Sequence, residues 1–160
     1  MEFTHFDSHG DAVMVDVGGK EDTEREAVAS GRIVMGRECF EKVTRKEIQK
    51  GDVLGVARIA GIMGAKRTWE MVPLCHGLNL TNVELTFEAE EGECEIKAFC
   101  KVKTVGKTGV EMEALLGVQI ALLTIYDMCK AVDKSMVMGD IHLCRKSGGK
   151  NGTFLYGQKL

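Results

Sequence analysis

The stretch Glu111 to Val132, EMEALLGVQIALLTIYDMCKAV, limits what this chain can fold into more than any other. Between Ala114 and Tyr126 only Gly117, Gln119 and Thr124 interrupt an apolar run, so a helix made from it is apolar nearly all round and has little surface to offer water. At about 13 residues the run falls short of the roughly 20 that a bilayer core demands, and charge closes both ends. Burial in a core or at a subunit interface is the expectation. Glu111 and Glu113 stand at the amino end, directly after Gly106-Lys107-Thr108-Gly109. Asp127 and Lys130 stand at the carboxyl end, three residues apart and therefore on one helix face. Two readings of these charges stay open: complements to the helix dipole, or groups that carry chemistry.

A chain of 160 residues with 44% hydrophobic content and a single proline suits one packed domain. The net charge of -3 and 6% aromatic content provide no basic stripe and few stacking rings, which argues against nucleic acid as the main partner. The polar opening MEFTHFDSHGDA lacks the apolar core of a signal peptide, and no segment is long enough to cross a membrane, so a cytoplasmic protein is expected. Cysteines 39, 75, 94, 100, 129 and 144 form no C-x-x-C pair and mostly sit among apolar residues, which suits reduced core thiols and no metal.

Along the chain, AVMVDV predicts a short strand ending at Val17 and carrying Asp16. His5 and His9 have the spacing of a helical metal pair, but Asp7, Ser8 and Gly10 make this a loop. Residues 24–35 read as extended, and a polar helix is expected from about Arg37 to Ile48. Gly51 ends that element and Asp52 is a good N-cap for a helix from about Val53 to Glu70, which leaves Lys50 on the connecting loop. The small residues Gly55, Ala57, Ala60, Gly61, Gly64 and Ala65 predict a close helix contact. Lys66 and Arg67 near its end complement the dipole. Pro73 to Leu78 is a loop exposing Cys75 and His76, a pair suited to acid or base work. Val83 to Val102 alternates apolar and polar residues around Glu91-Gly92-Glu93, the pattern of a hairpin with one buried face.

Gly106-Lys107-Thr108 resembles a P-loop only superficially, because that pattern needs a glycine where Lys101 stands. The helix start could still hold an anion through its amides. Met136 to Arg145 predicts a further strand. The Lys146 to Gly152 loop, with two lysines, is either a solvated linker or a phosphate clamp that orders on binding.

Together these blocks resemble the cyclic pyranopterin monophosphate synthase family of molybdenum cofactor biosynthesis, MoaC. The resemblance runs through THFD and MVDV, KGDV, ARIAGI, AKRTWE, PLCH, GKTGVEMEAL, ALLTIYDMCKAV and KSGGK in matching order. It implies one α+β domain over residues 1–160, with a ferredoxin-like antiparallel sheet packed against helices, assembled as dimers into a hexamer. It further implies conversion of cyclised dihydro-GTP, made by a radical SAM enzyme, into cyclic pyranopterin monophosphate with release of pyrophosphate and without metal or organic cofactor.

By resemblance, Asp127 is catalytic, and Lys50 and Lys130 are the paired acid and base lysines. Leu74, Cys75, His76, Met112 and Glu113 correspond to substrate-binding positions, and Asp16, Glu111, Lys66, Arg67 and Lys146 to supporting or phosphate-contacting ones. Lys50 and Lys130 side by side could tune one of them toward a neutral pKa. Two departures stand out: Gly77 replaces the proline that often follows PLCH, and Gly18-Gly19 loosens the segment after MVDV. The rival classes are a non-catalytic oligomeric module of ferredoxin-like type that binds a nucleotide or phosphorylated ligand, and a GTP cyclohydrolase, which would want a zinc ligand cluster that the sequence lacks.

Overall fold

The computed structural model describes residues 5–150 and 152–158. Its elements run β1 (Thr23–Val34), α1 (Arg37–Thr44), α2 (Val53–Lys66), α3 (Thr68–Met71), β2 (Leu80–Glu90), β3 (Glu95–Gly106), α4 (Glu111–Cys129), β4 (Val137–Ser147) and β5 (Phe154–Leu155). They form an α+β fold around a five-stranded sheet of spatial order β2-β3-β1-β4-β5, in which every pairing is antiparallel.

Alternation along the strands decides which face is covered. Ala27, Ala29 and Ile33 of β1 and Ile96, Ala98, Cys100 and Val102 of β3 point to one side and are fully buried. α4 lays Ala114, Val118, Ala121, Leu122 and Ile125 into that core. The opposite face is polar and held by cross-strand ion pairs. Lys103 and Arg145 flank Glu26 at 3.1 and 3.0 Å, and Lys101 meets Glu84. The one buried acid of β3, Glu95, is neutralised by Arg32 at 2.9 Å and Lys97 at 3.2 Å.

α2 runs antiparallel to α4. The small-residue contact expected of α2 is made with α4: a methyl added to Gly61 would stand 2.8 Å from the carbonyl oxygen of Gly117, and one added to Gly117 would stand 3.3 Å from that of Gly61. Asp52 caps α2 as expected, its Oδ1 accepting from the Gly55 amide at 3.0 Å. By length and composition α4 could cross a membrane, but half of its apolar window is buried within the fold, as befits a core helix.

Several expectations need correction. The segment 13–17 is not a strand: only Ala12 makes an isolated bridge, to Phe6, and Val13 and Met14 are exposed. Asp16 folds back on its own loop, accepting from the Gly18 amide at 2.7 Å, which takes the segment out of strand pairing. The first helix stops at Thr44 instead of Ile48, because Lys46 takes φ 59° and the amides of Lys46 and Glu47 return to Val43 and Lys42. That double return is a Schellman cap, with lysine where glycine is usual. The long helix predicted to Glu70 breaks at Arg67 (φ -111°, ψ 15°), where the buried Thr68 hydroxyl donates to the Ala65 carbonyl. Cys94 lies in the hairpin turn at φ 50° and outside β3. β4 runs on through Lys146 to Ser147, taking the first two residues of the expected loop into the strand.

Candidate functional site

The chain assembles two groups of functional side chains, one at each end of α4. At the amino end, the turn after α3 brings Leu74, Cys75 and His76 against the first turn of α4. With Val15, Val17 and Lys20 from the amino-terminal segment they enclose a cavity of about 280 Å³ into which Glu111, Met112 and Glu113 face. Glu113 is the unusual residue. Its side chain is 4% exposed, and burial pushes its carboxyl up to about 7, with the charge of Glu111 adding to the shift. A carboxyl poised there can give or take a proton at neutral pH. Burial also raises the Cys75 thiol, and the Glu113 charge raises it further.

Beside this cavity lies a larger one of about 770 Å³, built where the β3–α4 loop, the start of β1 and the end of β4 converge. Five cations line it, Lys20, Arg25, Lys107, Lys146 and Lys150, against three acids, Glu21, Glu26 and Glu111. Lys146 pairs with Glu111 at 3.2 Å, which ties the end of β4 to the start of α4. Arg25 donates to the carbonyls of Gly106 and Lys107, and Lys107 to that of Gly18 at 2.7 Å. The turn after Ser147 passes so close that a methyl on Gly149 would overlap the Arg25 guanidinium at 1.8 Å. Gly148 and Gly149 also take φ of 93° and 76°, so both conformation and space demand glycine there. Val110, the residue before α4, gives the helix no side-chain cap. A basic cleft at an uncapped helix start suits a polyphosphate.

The second group sits at the carboxyl end of α4. Lys130 Nζ is 2.6 Å from Asp127 Oδ1, the helical neighbour contact that their spacing predicts. Lys50 is carried in by the α1–α2 loop, where Gly51 turns at φ 97°. Its Nζ donates to the Asp127 carbonyl at 3.1 Å and stands 4.0 Å from Oδ2. The Lys130 hydrogen bond, then its charge and that of Lys50, hold the Asp127 carboxyl below its ordinary range. Lys130 is in turn raised by Asp127, the opposite of the tuning toward neutral that its nearness to Lys50 suggested. An exposed ammonium beside a carboxylate keeps its proton more firmly.

Three predicted residues stand apart from both groups. Asp16 is exposed and occupied with its own turn, although Val15 and Val17 on either side line the small cavity. Lys66 borders a separate depression with Asn79 to Val83, and Arg67 is exposed at the end of α2. Conversely, sequence reasoning passed over Lys20 and Arg25. Arg25 is one charged residue in an alternating strand, and nothing local distinguishes it until the glycine turn is seen packing on it.

The family comparison is decided by coverage. The model of the MoaC family matches residues 14–149, a span that holds every candidate residue from Asp16 to Lys146. The chain belongs to the MoaC family. It is 58% identical over 152 residues to the cyclic pyranopterin monophosphate synthase of Heliobacterium modesticaldum, covering 95% of this chain and 96% of that one. The proteins of the same name from Clostridium botulinum and Natranaerobius thermophilus are each 55% identical, over 96% and 94% of this chain and 97% and 95% of their own lengths. In this MoaC chain the two charged groups stand 14 positions apart on α4, about 21 Å at the helical rise.

Proposed function

We propose that the chain is a cyclic pyranopterin monophosphate synthase of molybdenum cofactor biosynthesis, acting as a phosphorus-oxygen lyase on cyclised dihydro-GTP. The observation that carries this reading is the 58% identity to a relative of that name over nearly the whole of both chains. In this reading the triphosphate lies in the basic cleft of Lys20, Arg25, Lys107 and Lys146. The purine-derived ring enters the smaller cavity, beside Cys75, His76, Met112 and Glu113. Glu113, with its carboxyl near 7, exchanges protons with the rearranging ring. Closing the cyclic phosphate requires a substrate hydroxyl to lose its proton and attack the first phosphorus. The bond to the second phosphate breaks and pyrophosphate leaves, its charge taken up by the surrounding cations.

Asp127, Lys50 and Lys130 are the remaining acid-base residues, with Asp16, Lys66 and Arg67 in supporting roles. Because a single substrate does not comfortably span about 21 Å, the carboxyl-end group reaches the cavity from a second subunit across a two-fold axis. Uncovered apolar residues on the outer faces of the helices support such an interface: Val56, Ile59 and Met63 recur along one side of α2, and Leu123 is exposed on α4. Dimers of this kind would assemble as a trimer of dimers in the cytoplasm, downstream of a radical SAM cyclase. The test is incubation of the purified protein with authentic cyclised dihydro-GTP. Stoichiometric pyrophosphate and the cyclic phosphate product are expected, whereas binding without turnover would favour a regulatory module.

A further inference from the structure

On the sheet face opposite α4, β4 carries a second, separate piece of chemistry. Register shifts interrupt the β1–β4 ladder between Val28 and Ala29 and between Ser30 and Arg32. Ala29 pairs with Leu143 and Val28 with Arg145, so Cys144 is the extra residue of a bulge, the kind of irregularity that re-aims a side chain. Its Sγ lies 3.1 Å from Ser30 Oγ and 3.8 Å from His142 Nε2. His142 Nδ1 is 2.7 Å from the carbonyl oxygen of Asp140. A carbonyl can only accept, so Nδ1 carries the hydrogen, and in the neutral ring Nε2 presents its lone pair to the thiol. Tyr156, just after β5, lies against the imidazole with centroids 4.2 Å apart and its ring tilted by 39°. The Tyr156 amide also donates to the Cys144 carbonyl at 2.8 Å, so the same strand that holds the base holds the nucleophile.

Nucleophile, base and an orienting acceptor behind the base are the three parts of an activated thiol. We propose that Cys144 is a base-assisted nucleophilic thiol and a modification site for small disulfides. His142 Nε2 takes the Cys144 proton, and the thiolate attacks one sulfur of the disulfide. A new S–S bond forms as the old one breaks, and the departing thiolate receives the proton from the imidazolium. A mixed disulfide on Cys144 and one equivalent of free small thiol result, with no other oxidant consumed. The remaining cysteines set the contrast. Cys39, Cys100 and Cys129 are fully buried, Cys75 is half-buried with its thiol raised by burial, and Cys94 is half-buried in the hairpin turn, its thiol directed to the Glu91 carbonyl with no histidine partner.

The test treats the intact protein with substoichiometric dithiodipyridine, follows the released thiopyridone, and maps the modified cysteine by peptide mass spectrometry. Cys144 is expected to react first, about tenfold or more ahead of Cys94. His142→Phe, which keeps an aromatic ring for Tyr156 but removes the base, should slow Cys144 about tenfold or more while leaving the Cys94 rate unchanged. The wild-type order is read without any variant. Cys144 reacting no faster than Cys94, or reacting at the wild-type rate in His142→Phe, overturns the proposal.

Discussion

Replacing Glu113 by Gln should remove from the chain's stability a pH dependence that is set by one carboxyl. An unfolded glutamate ionises near 4.5, and in the folded chain burial raises Glu113 to about 7. Between those values the folded state holds a proton that the unfolded state has released. Stability therefore falls as pH rises through this window and levels off above it. At about 1.4 kcal/mol per pKa unit, the full swing is about 3 kcal/mol. Gln has nearly the same shape and cannot ionise, so it escapes the loss. The carboxyls held low, Glu38, Asp52, Glu95, Asp127 and Asp133, work the other way and lose their contribution as pH falls through their depressed values. They are common to both proteins and cancel in the difference. The assay is guanidinium unfolding of wild type and Glu113→Gln from about pH 4 to pH 8 at one protein concentration, since association would shift the midpoints. The variant should gain about 3 kcal/mol relative to wild type across that range, while its turnover falls. A stability difference independent of pH would refute the placement of Glu113 as a buried, proton-exchanging carboxyl.

Other outcomes follow from the same geometry. Asp127→Asn and Lys50→Ala should each lower turnover at least about a hundredfold in a pyrophosphate-release assay, with unchanged circular dichroism and assembly, because both side chains are half exposed and hold no core together. Gly117→Val should cost about 3 kcal/mol in guanidinium unfolding, since its first carbon would meet Cys100 Sγ of β3 at 2.6 Å and press α4 off the sheet. Turnover should survive exhaustive chelation, and activity lost to EDTA and restored by zinc would assign the chemistry to a metal instead.

Much of the scaffold could be read from local pattern. The alternation of Val83 to Val102 and the all-round apolarity of Ala114 to Tyr126 arise from burial, which acts on every residue of an element and so leaves a periodic trace. The Asp52 cap and the Asp127–Lys130 contact are equally local, fixed by a spacing of three residues. What escaped depends on partners distant in the chain. AVMVDV has the composition of a strand, but Asp16 bends it onto Gly18 and Val15 and Val17 serve the cavity instead. Lys46 closes α1 in a conformation that favours glycine, so no residue type announced the end of the helix. The basic cleft draws Lys20, Arg25 and Lys146 from three separate segments, and the protonation of Glu113 follows from its surroundings, neither of which a one-dimensional pattern records.

The most direct test of a site shared between subunits is complementation. Glu113→Ala and Lys130→Ala proteins, each inactive alone, are mixed in equal amounts under conditions of subunit exchange, and pyrophosphate release is measured. Random pairing makes half of the dimers mixed, and each mixed dimer regains one wild-type site, so activity should return to about a quarter of the wild-type level. No recovery, with exchange demonstrated by mass spectrometry of differently labelled subunits, would mean that one chain supplies both residues and that the two ends of α4 do not meet across an interface.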